Sequence, residues 1–282
     1  MNQDETARRQ QQQETRENWA LRAGQWVEQA DHLAKLAHGL NKPLIAAAGV
    51  GPGHHVLDLA SGVGEPALSM SELVGPRGSV TATDLVAEML AGAECRAADQ
   101  GLSNMRFQVT PMEELPFEDD SFDAVTCRIG LMYTPSPERA AAQARRVLRP
   151  GGRAAFMVWG PKADNSQFII VDRVLADVAG IDPHEGAFTP TRLGDDGALN
   201  DVLRAGGFGA WEEQALRFSP RIPLESNFWR PQLALRIGDR LAAMNENERR
   251  RIDDAMREAY RDLLDGDRVQ LQVHARIGIG TA

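Results

Sequence analysis

The chain has 282 residues, 43% of them hydrophobic, enough to bury one large α/β core with a cap or two small cores. A formal net charge of -9 and a pI near 5.2 exclude a phosphate-reading surface, because clustered Lys and Arg drive nucleic-acid binding; no nucleic-acid partner is expected. No stretch is long and apolar enough to span a bilayer, and Cys95 and Cys127 fall in no metal spacing with no apolar signal segment ahead of them, so a reduced, cytoplasmic setting is the expectation.

Residues 1–17 are rich in Gln, Arg and Glu and have no apolar face to bury, which predicts a flexible, solvated tail or a frayed helix. From Trp19 to Ala48 apolar residues recur at helical spacing (Trp19, Ala23, Trp26, Ala30, Leu33, Leu36, Ala37, Leu40), and this predicts helices over 18–53 ahead of a sheet. The stretch 54–68 then changes character. Val56, Leu57 and Leu59 suit a buried strand that ends in Asp58-Leu59, Gly62 and Gly64 permit positive φ and close ligand approach, and Pro66 suits a helix start. A strand, a tight turn and a helix make a crevice at the strand's carboxyl end.

Strand and helix signals alternate from there. Pro66 to Val74 reads as a helix closed by Gly75-Pro76-Arg77-Gly78, Ser79 to Thr83 as a strand, Val86 to Gln100 as a helix and Met105 to Thr110 as a third strand. Phe122 to Cys127 is the fourth strand, Glu138 to Leu148 a helix, and Arg153 to Trp159 a strand after the turn Arg149-Pro150-Gly151-Gly152. Such alternation predicts right-handed crossovers and a mostly parallel sheet.

Charge narrows what the crevice binds. Gly62, Gly64 and Ala67 fit a dinucleotide pattern, yet Asp58 and Glu65 flank the turn and would repel a pyrophosphate. A ligand with positive charge suits the site better. S-adenosylmethionine has an ammonium, a sulfonium and a ribose diol, and Asp84, 20 residues beyond Gly64 at the end of the next strand, is placed to accept both ribose hydroxyls.

The run Val56 to Ala67, then Thr83-Asp84-Leu85 with Met89, Met112-Glu113-Glu114-Leu115-Pro116-Phe117, Ser121-Phe122-Asp123-Ala124-Val125 and Arg146-Val147-Leu148-Arg149-Pro150-Gly151-Gly152 resembles the class I S-adenosylmethionine-dependent methyltransferases. Within that class it is most similar to the ubiquinone/menaquinone-biosynthesis branch, over roughly residues 54–160. The resemblance implies a Rossmann-like sheet closed by an antiparallel hairpin, and cofactor contacts from Asp58, Ala60, Ser61, Gly62, Gly64, Asp84 and Leu85. It also implies that Met89 packs against the adenine and that Trp26 covers the methionine end. Arg128 is expected beside the cofactor through its backbone carbonyl, leaving its side chain to pair with an acid. Relatives usually carry Asp where Pro111 stands; proline lacks both the carboxylate and the N–H, so the Met112 amide is left to donate to the ring and Glu113 is a replacement acceptor.

Beyond Gly160-Pro161 the resemblance is generic. Residues 161–206 and 220–264 read as lid or cap helices, with Phe228, Trp229, Leu233, Leu235, Ile237 and Leu241 on apolar stripes. Phe208 to Phe218 and Arg268 to Ile277 alternate like strands and are expected to pair, giving a domain plan of 1–17, 18–53, 54–160 and 161–282, with the last two core strands at 207–218 and 268–278. A helical insertion between paired strands is a cap, and caps hold substrates.

Methyl transfer from a sulfonium is an in-line displacement that needs alignment and dryness more than a particular side chain. A hydroxyl acceptor benefits from a base, for which His184 in the polar loop Ile181-Asp182-Pro183-His184-Glu185-Gly186 and Tyr133 after the fourth strand are the candidates. Asp119, Asp120 and Asp123 belong to an acidic turn before a strand, so no metal is expected. The reading is a methyltransferase for a small-molecule acceptor, with a homodimer as the candidate assembly. Its alternatives are a relative that binds the cofactor without transferring methyl, or a nicotinamide oxidoreductase of the same fold.

Overall fold

The computed structural model describes residues 3–182 and 190–282. They fall into two compact units, one made of 1–158, 196–214 and 276–282, the other of 159–195 and 215–275.

The first unit begins with three helices, α1 (Gln3–Ala20), α2 (Ala23–Glu28) and α3 (Ala30–Ala47). The core follows as β1 (His55–Leu59), α4 (Ala67–Val74), β2 (Ser79–Asp84), α5 (Ala87–Asp99), β3 (Met105–Val109), β4 (Phe122–Arg128), a 3-10 turn (Leu131–Tyr133), α6 (Pro137–Val147) and β5 (Leu148–Trp159). Val56, Leu57 and Leu59 are fully buried, as a strand covered on both faces requires, and each such side chain contributes roughly 1.5–3 kcal/mol.

Beyond β5 come α7 (Ser166–Ala179), α8 (Ala198–Ala205), β6 (Ala210–Phe218), β7 (Arg221–Pro223), α9 (Arg230–Ala243), α10 (Glu246–Arg261), β8 (Leu264–Asp265), β9 (Arg268–Gln270) and β10 (Val273–Thr281). The main sheet has the order β3-β2-β1-β4-β5-β10-β6. Strands β3, β2, β1, β4 and β5 pair in parallel, with Asp58 level with Ala82 on one side and Thr126 on the other. The order reverses between β1 and β4, and a crevice at the carboxyl ends of the strands belongs at such a switch point. β10 runs antiparallel to β5: Gly151 donates to the Ala282 carbonyl at 3.1 Å, Ala282 to that of Gly152 at 3.0 Å, and Gly160 to that of His274 at 2.9 Å.

The fold differs from the sequence expectation in three places. Residues 3–17 are helical, as one of the two readings has it, but held against the core rather than frayed or solvated. Polar side chains tie α1 down, Arg8 pairing with Glu114 at 3.2 Å and Gln12 donating to Glu113 at 3.4 Å, and the Trp19 ring near its end packs 6.2 Å from Trp26 and 5.2 Å from Tyr133. Residues 196–214, expected partly as lid, belong to the first unit. Arg268–Gln270 does not begin the closing strand; it forms a separate three-stranded sheet with β7 and β8, and β10 starts at Val273.

The second unit has its own apolar core, in which Val171 and Leu175 of α7, Leu233 of α9, Met256 and Tyr260 of α10, and Trp229 are buried together. Polar ties support it. The Trp229 indole donates to Asp253 at 3.1 Å, and Asp253 also holds Arg230, which keeps its carboxyl below the usual range although burial opposes this. Burial alone pushes the Tyr260 hydroxyl well above its ordinary value.

Candidate active site

The turn after β1 carries three left-handed backbones, Ala60 at φ 52°, Gly62 at φ 52° and Gly64 at φ 111°. The two glycines do different work. A Cβ on Gly62 would meet nothing within 4 Å, so this residue faces open space, whereas one on Gly64 would lie 2.8 Å from the Leu68 side chain. Gly62 keeps the crevice open, and Gly64 lets α4 pack closely. The turn is closed by Ser61 donating to the Thr83 carbonyl at 2.9 Å and by Gly64 donating to the Ser61 carbonyl at 2.9 Å.

Two acids stand at the strand ends. The Asp84 carboxylate accepts from the Gly62 amide and the Val86 amide, both at 2.9 Å, so it orders the turn; each oxygen still has a lone pair for a ligand hydroxyl. Its pKa is raised by burial, against the pull of those backbone bonds. Asp58 is fully buried, and Thr126 from β4 donates to its Oδ1 at 2.5 Å. Burial drives the Asp58 pKa up to about 7, over the lowering effects of Thr126, Ser61 and Arg128. Asp58 Oδ2 has no partner among the described residues.

Beside this pair, Met89, Val86 and Val63 pack with Ala23 and Ala30, and Trp26 lies against the same cluster with its indole nitrogen buried and unpartnered. Leu85, between Asp84 and Val86 in the chain, is half-buried. On the other side, a Cβ at Gly130 would touch the Ala60 Cβ at 2.5 Å and the Met112 Cε at 3.7 Å, so these three residues meet. Glu113 is buried and its carboxylate is occupied by the Thr134 hydroxyl and by Gln12. Tyr133 packs on Trp19. His184 lies outside the described residues.

Arg128 is half-buried at the end of β4. Burial lowers its pKa, opposed by the nearby charges of Glu65 and Asp58. Glu65 itself is held by Asn41 at 2.9 Å and by Ser69 at 2.7 Å. The next residue, Ile129, has φ 57°, a strained conformation for a β-branched side chain and one common beside functional sites.

Several residues escaped sequence reading. Thr126 is one, although its signal was present, since parallel pairing of two buried strands sets it level with Asp58. Ile129 and Thr134 gave none, and Asn41 came from a distant helix. Another is His274 in the second unit, which is 1% exposed and has Nδ1 2.7 Å from Asp164 Oδ2 and Nε2 unpartnered. The Asp164 carboxyl is held below its usual range first by that histidine. Among the described residues no group of three or more His, Cys, Asp and Glu is arranged to hold a metal ion, and no helix is long and apolar enough to cross a membrane.

Residues 56–152, which hold the strand–turn–helix core and both acids, match the family described as "Methyltransferase domain". The chain is 40% identical over 126 residues to a ubiquinone/menaquinone biosynthesis C-methyltransferase of Cupriavidus taiwanensis, covering 42% of this chain and 49% of that protein. It is 42% identical over 116 residues to an uncharacterized protein of Mycobacterium tuberculosis, covering 41% of each. These matches span less than half of the relatives' own length. In three dimensions the chain is similar to the YcgJ protein of Bacillus subtilis, with a TM-score of 0.57 and 21% identity, covering 86% of this chain and 97% of that one. That likeness concerns the fold.

Proposed function

We propose that the protein is an S-adenosylmethionine-dependent methyltransferase acting on a small organic molecule. The observation that carries this reading is the pair of carboxyl groups, Asp58 fully buried and Asp84 half-buried, on either side of a glycine turn that opens to space at Gly62. An anionic crevice disfavours a pyrophosphate and favours a ligand with an ammonium and a diol. When bound, the cofactor supplies an electrophilic methyl group. Asp84 would accept the ribose hydroxyls, Asp58 would face the positive end, and Ala60, Ser61, Leu85, Met89, Met112 and Trp26 would enclose the nucleoside and thioether.

The candidate proton acceptors are His184 and Tyr133. A base is needed only where the acceptor is a hydroxyl; a nucleophilic carbon, amine or thiolate needs positioning alone. A reduced cytoplasmic setting and a homodimer remain part of this proposal.

Calorimetric titration with S-adenosylhomocysteine and with NADH tests it. Binding of the first and not the second is expected, and the reverse preference refutes the reading in favour of an oxidoreductase. Incubation with S-adenosylmethionine and a metabolite mixture then separates transfer from mere binding, since transfer adds one CH₂ to the mass of an acceptor.

A further inference from the structure

Arg96 of α5 is a neighbour of both Gly92 and Ala93, since side chains three and four apart on a helix share a face. Each of the three meets a different part of the first unit. A Cβ on Gly92 would lie 2.7 Å from Val27 Cγ2, so α2 packs closely at this position. The Ala93 Cβ lies 3.3 Å from where a Cβ of Gly64 would stand, which sets α5 against the glycine turn. Arg96 ties the helices and the turn together: its Nη1 donates to the Val63 carbonyl at 2.7 Å, and its Nη2 to Asp31 Oδ1, in the first turn of α3, at 3.3 Å. Its side chain is largely buried, although that of Asp31 is exposed.

The Val63–Gly64 peptide lies in the middle of the turn. Its amide donates to the Ser61 carbonyl and its carbonyl accepts from Arg96, so both ends of that plane are fixed. Glycine at φ 111° leaves the plane little steric preference of its own, and a donor therefore has to choose its orientation. Arg96 is that donor. Removing it takes a charge-assisted hydrogen bond from the carbonyl of a buried residue. A planar fork with several N–H groups can serve this carbonyl and the Asp31 carboxylate at once.

We propose that Arg96 is a positioning residue that couples the docking of α2 and α3 to the shape of the glycine turn, so that ligand binding and helix docking strengthen one another. The inference rests on the methyltransferase reading, in which the turn receives the methyl donor, and Arg96 acts on that ligand through the backbone of the turn. Coupling of this kind is reciprocal: whatever the docked helices add to ligand affinity, the ligand adds to helix docking.

S-adenosylhomocysteine is titrated calorimetrically into the wild type, Arg96→Met, Arg96→Lys, Asp31→Asn and the double variant of Arg96→Met with Asp31→Asn. Hydrogen exchange of residues 23–35 is followed with and without the ligand. Arg96→Met is expected to weaken binding by about tenfold, the loss of one charge-assisted hydrogen bond, and Arg96→Lys to recover part of this. Asp31→Asn should weaken it by about twofold, and the double variant should bind no worse than Arg96→Met alone, because the two groups act through one contact. Saturating ligand should slow exchange over 23–35 in the wild type and do so much less in Arg96→Met. Unchanged affinity in folded Arg96→Met, losses that add in the double variant, or ligand protection undiminished in Arg96→Met overturns the proposal. Should Arg96→Met fail to fold, Asp31→Asn decides: undiminished ligand protection over 23–35 overturns the proposal, and diminished protection supports it. A wild type that binds no S-adenosylhomocysteine removes the methyltransferase reading and this proposal with it, whereas the other outcomes leave that reading standing.

Discussion

Replacing Asp58 by Asn should make the ligand-free protein more stable and at the same time a poorer binder. Asp58 is fully buried and its pKa rises from 3.8 to about 7, chiefly through loss of water. At roughly 1.4 kcal/mol per unit, holding it ionised costs the unliganded fold on the order of 4 kcal/mol. The folded state holds this proton more tightly than the unfolded state, so stability from this group falls as pH rises from about 4 to about 7 and is level above that. An amide in place of the carboxylate keeps an acceptor for the Thr126 hydroxyl and never ionises. The stability difference between Asp58→Asn and wild type should therefore grow by about 3 kcal/mol between about pH 5 and about pH 8. Urea titrations of both proteins at the two pH values, followed by circular dichroism without ligand, measure it. A difference that does not change with pH would refute the argument, and weaker S-adenosylhomocysteine binding by Asp58→Asn at about pH 8 checks the functional half.

Gly62→Val should abolish S-adenosylhomocysteine binding while leaving the circular dichroism spectrum native, because nothing in the protein obstructs the side chain but φ 52° costs a β-branched residue about 1–3 kcal/mol; global unfolding would mark the glycine as structural. Asp84→Ala should weaken the same ligand by roughly tenfold or more, since it removes charge-assisted acceptors and loosens the Gly62 turn, and unchanged affinity in a folded protein would take Asp84 out of the site. If the acceptor is a hydroxyl, His184→Ala should lower turnover about a hundredfold or more with cofactor affinity intact. A wild-type rate in that variant would pass the role to Tyr133, read by Tyr133→Phe, or to no base at all. Trp19→Ala should raise hydrogen exchange along α1, as it deletes two aromatic contacts of about 0.5–1.5 kcal/mol each; unaltered protection would show that Arg8 and Gln12 suffice to hold the helix.

The parallel core was readable because each strand is short, apolar and bounded by Gly or Pro, and because the glycine turn and Asp84 sit where such a sheet binds ligands. Helix α1 was not, since its stability comes from contacts with Glu113, Glu114 and Tyr133, which lie about a hundred residues away and leave no periodic trace. Arg268–Gln270 alternates as a strand should, but alternation does not say which sheet a strand joins. That Arg128 Nε has no partner among the described residues was hidden for a related reason: its charge is visible in the sequence, whereas the prior engagement of Glu65 and Asp58 is a matter of geometry.

Strand β10 fills the slot between β5 and β6 although it follows both in the chain. Before it arrives, β5 has an open row of amides and carbonyls along one side, and β6 has no neighbour in the main sheet. Closing the sheet thus awaits a contact across more than a hundred residues, between the Gly160 amide and the His274 carbonyl, which is an entropically slow step in folding. During that interval the naked β5 edge is a template for pairing with another chain. Fragments cut after residue 265 should accordingly aggregate on expression even though they retain every acid and glycine of the crevice.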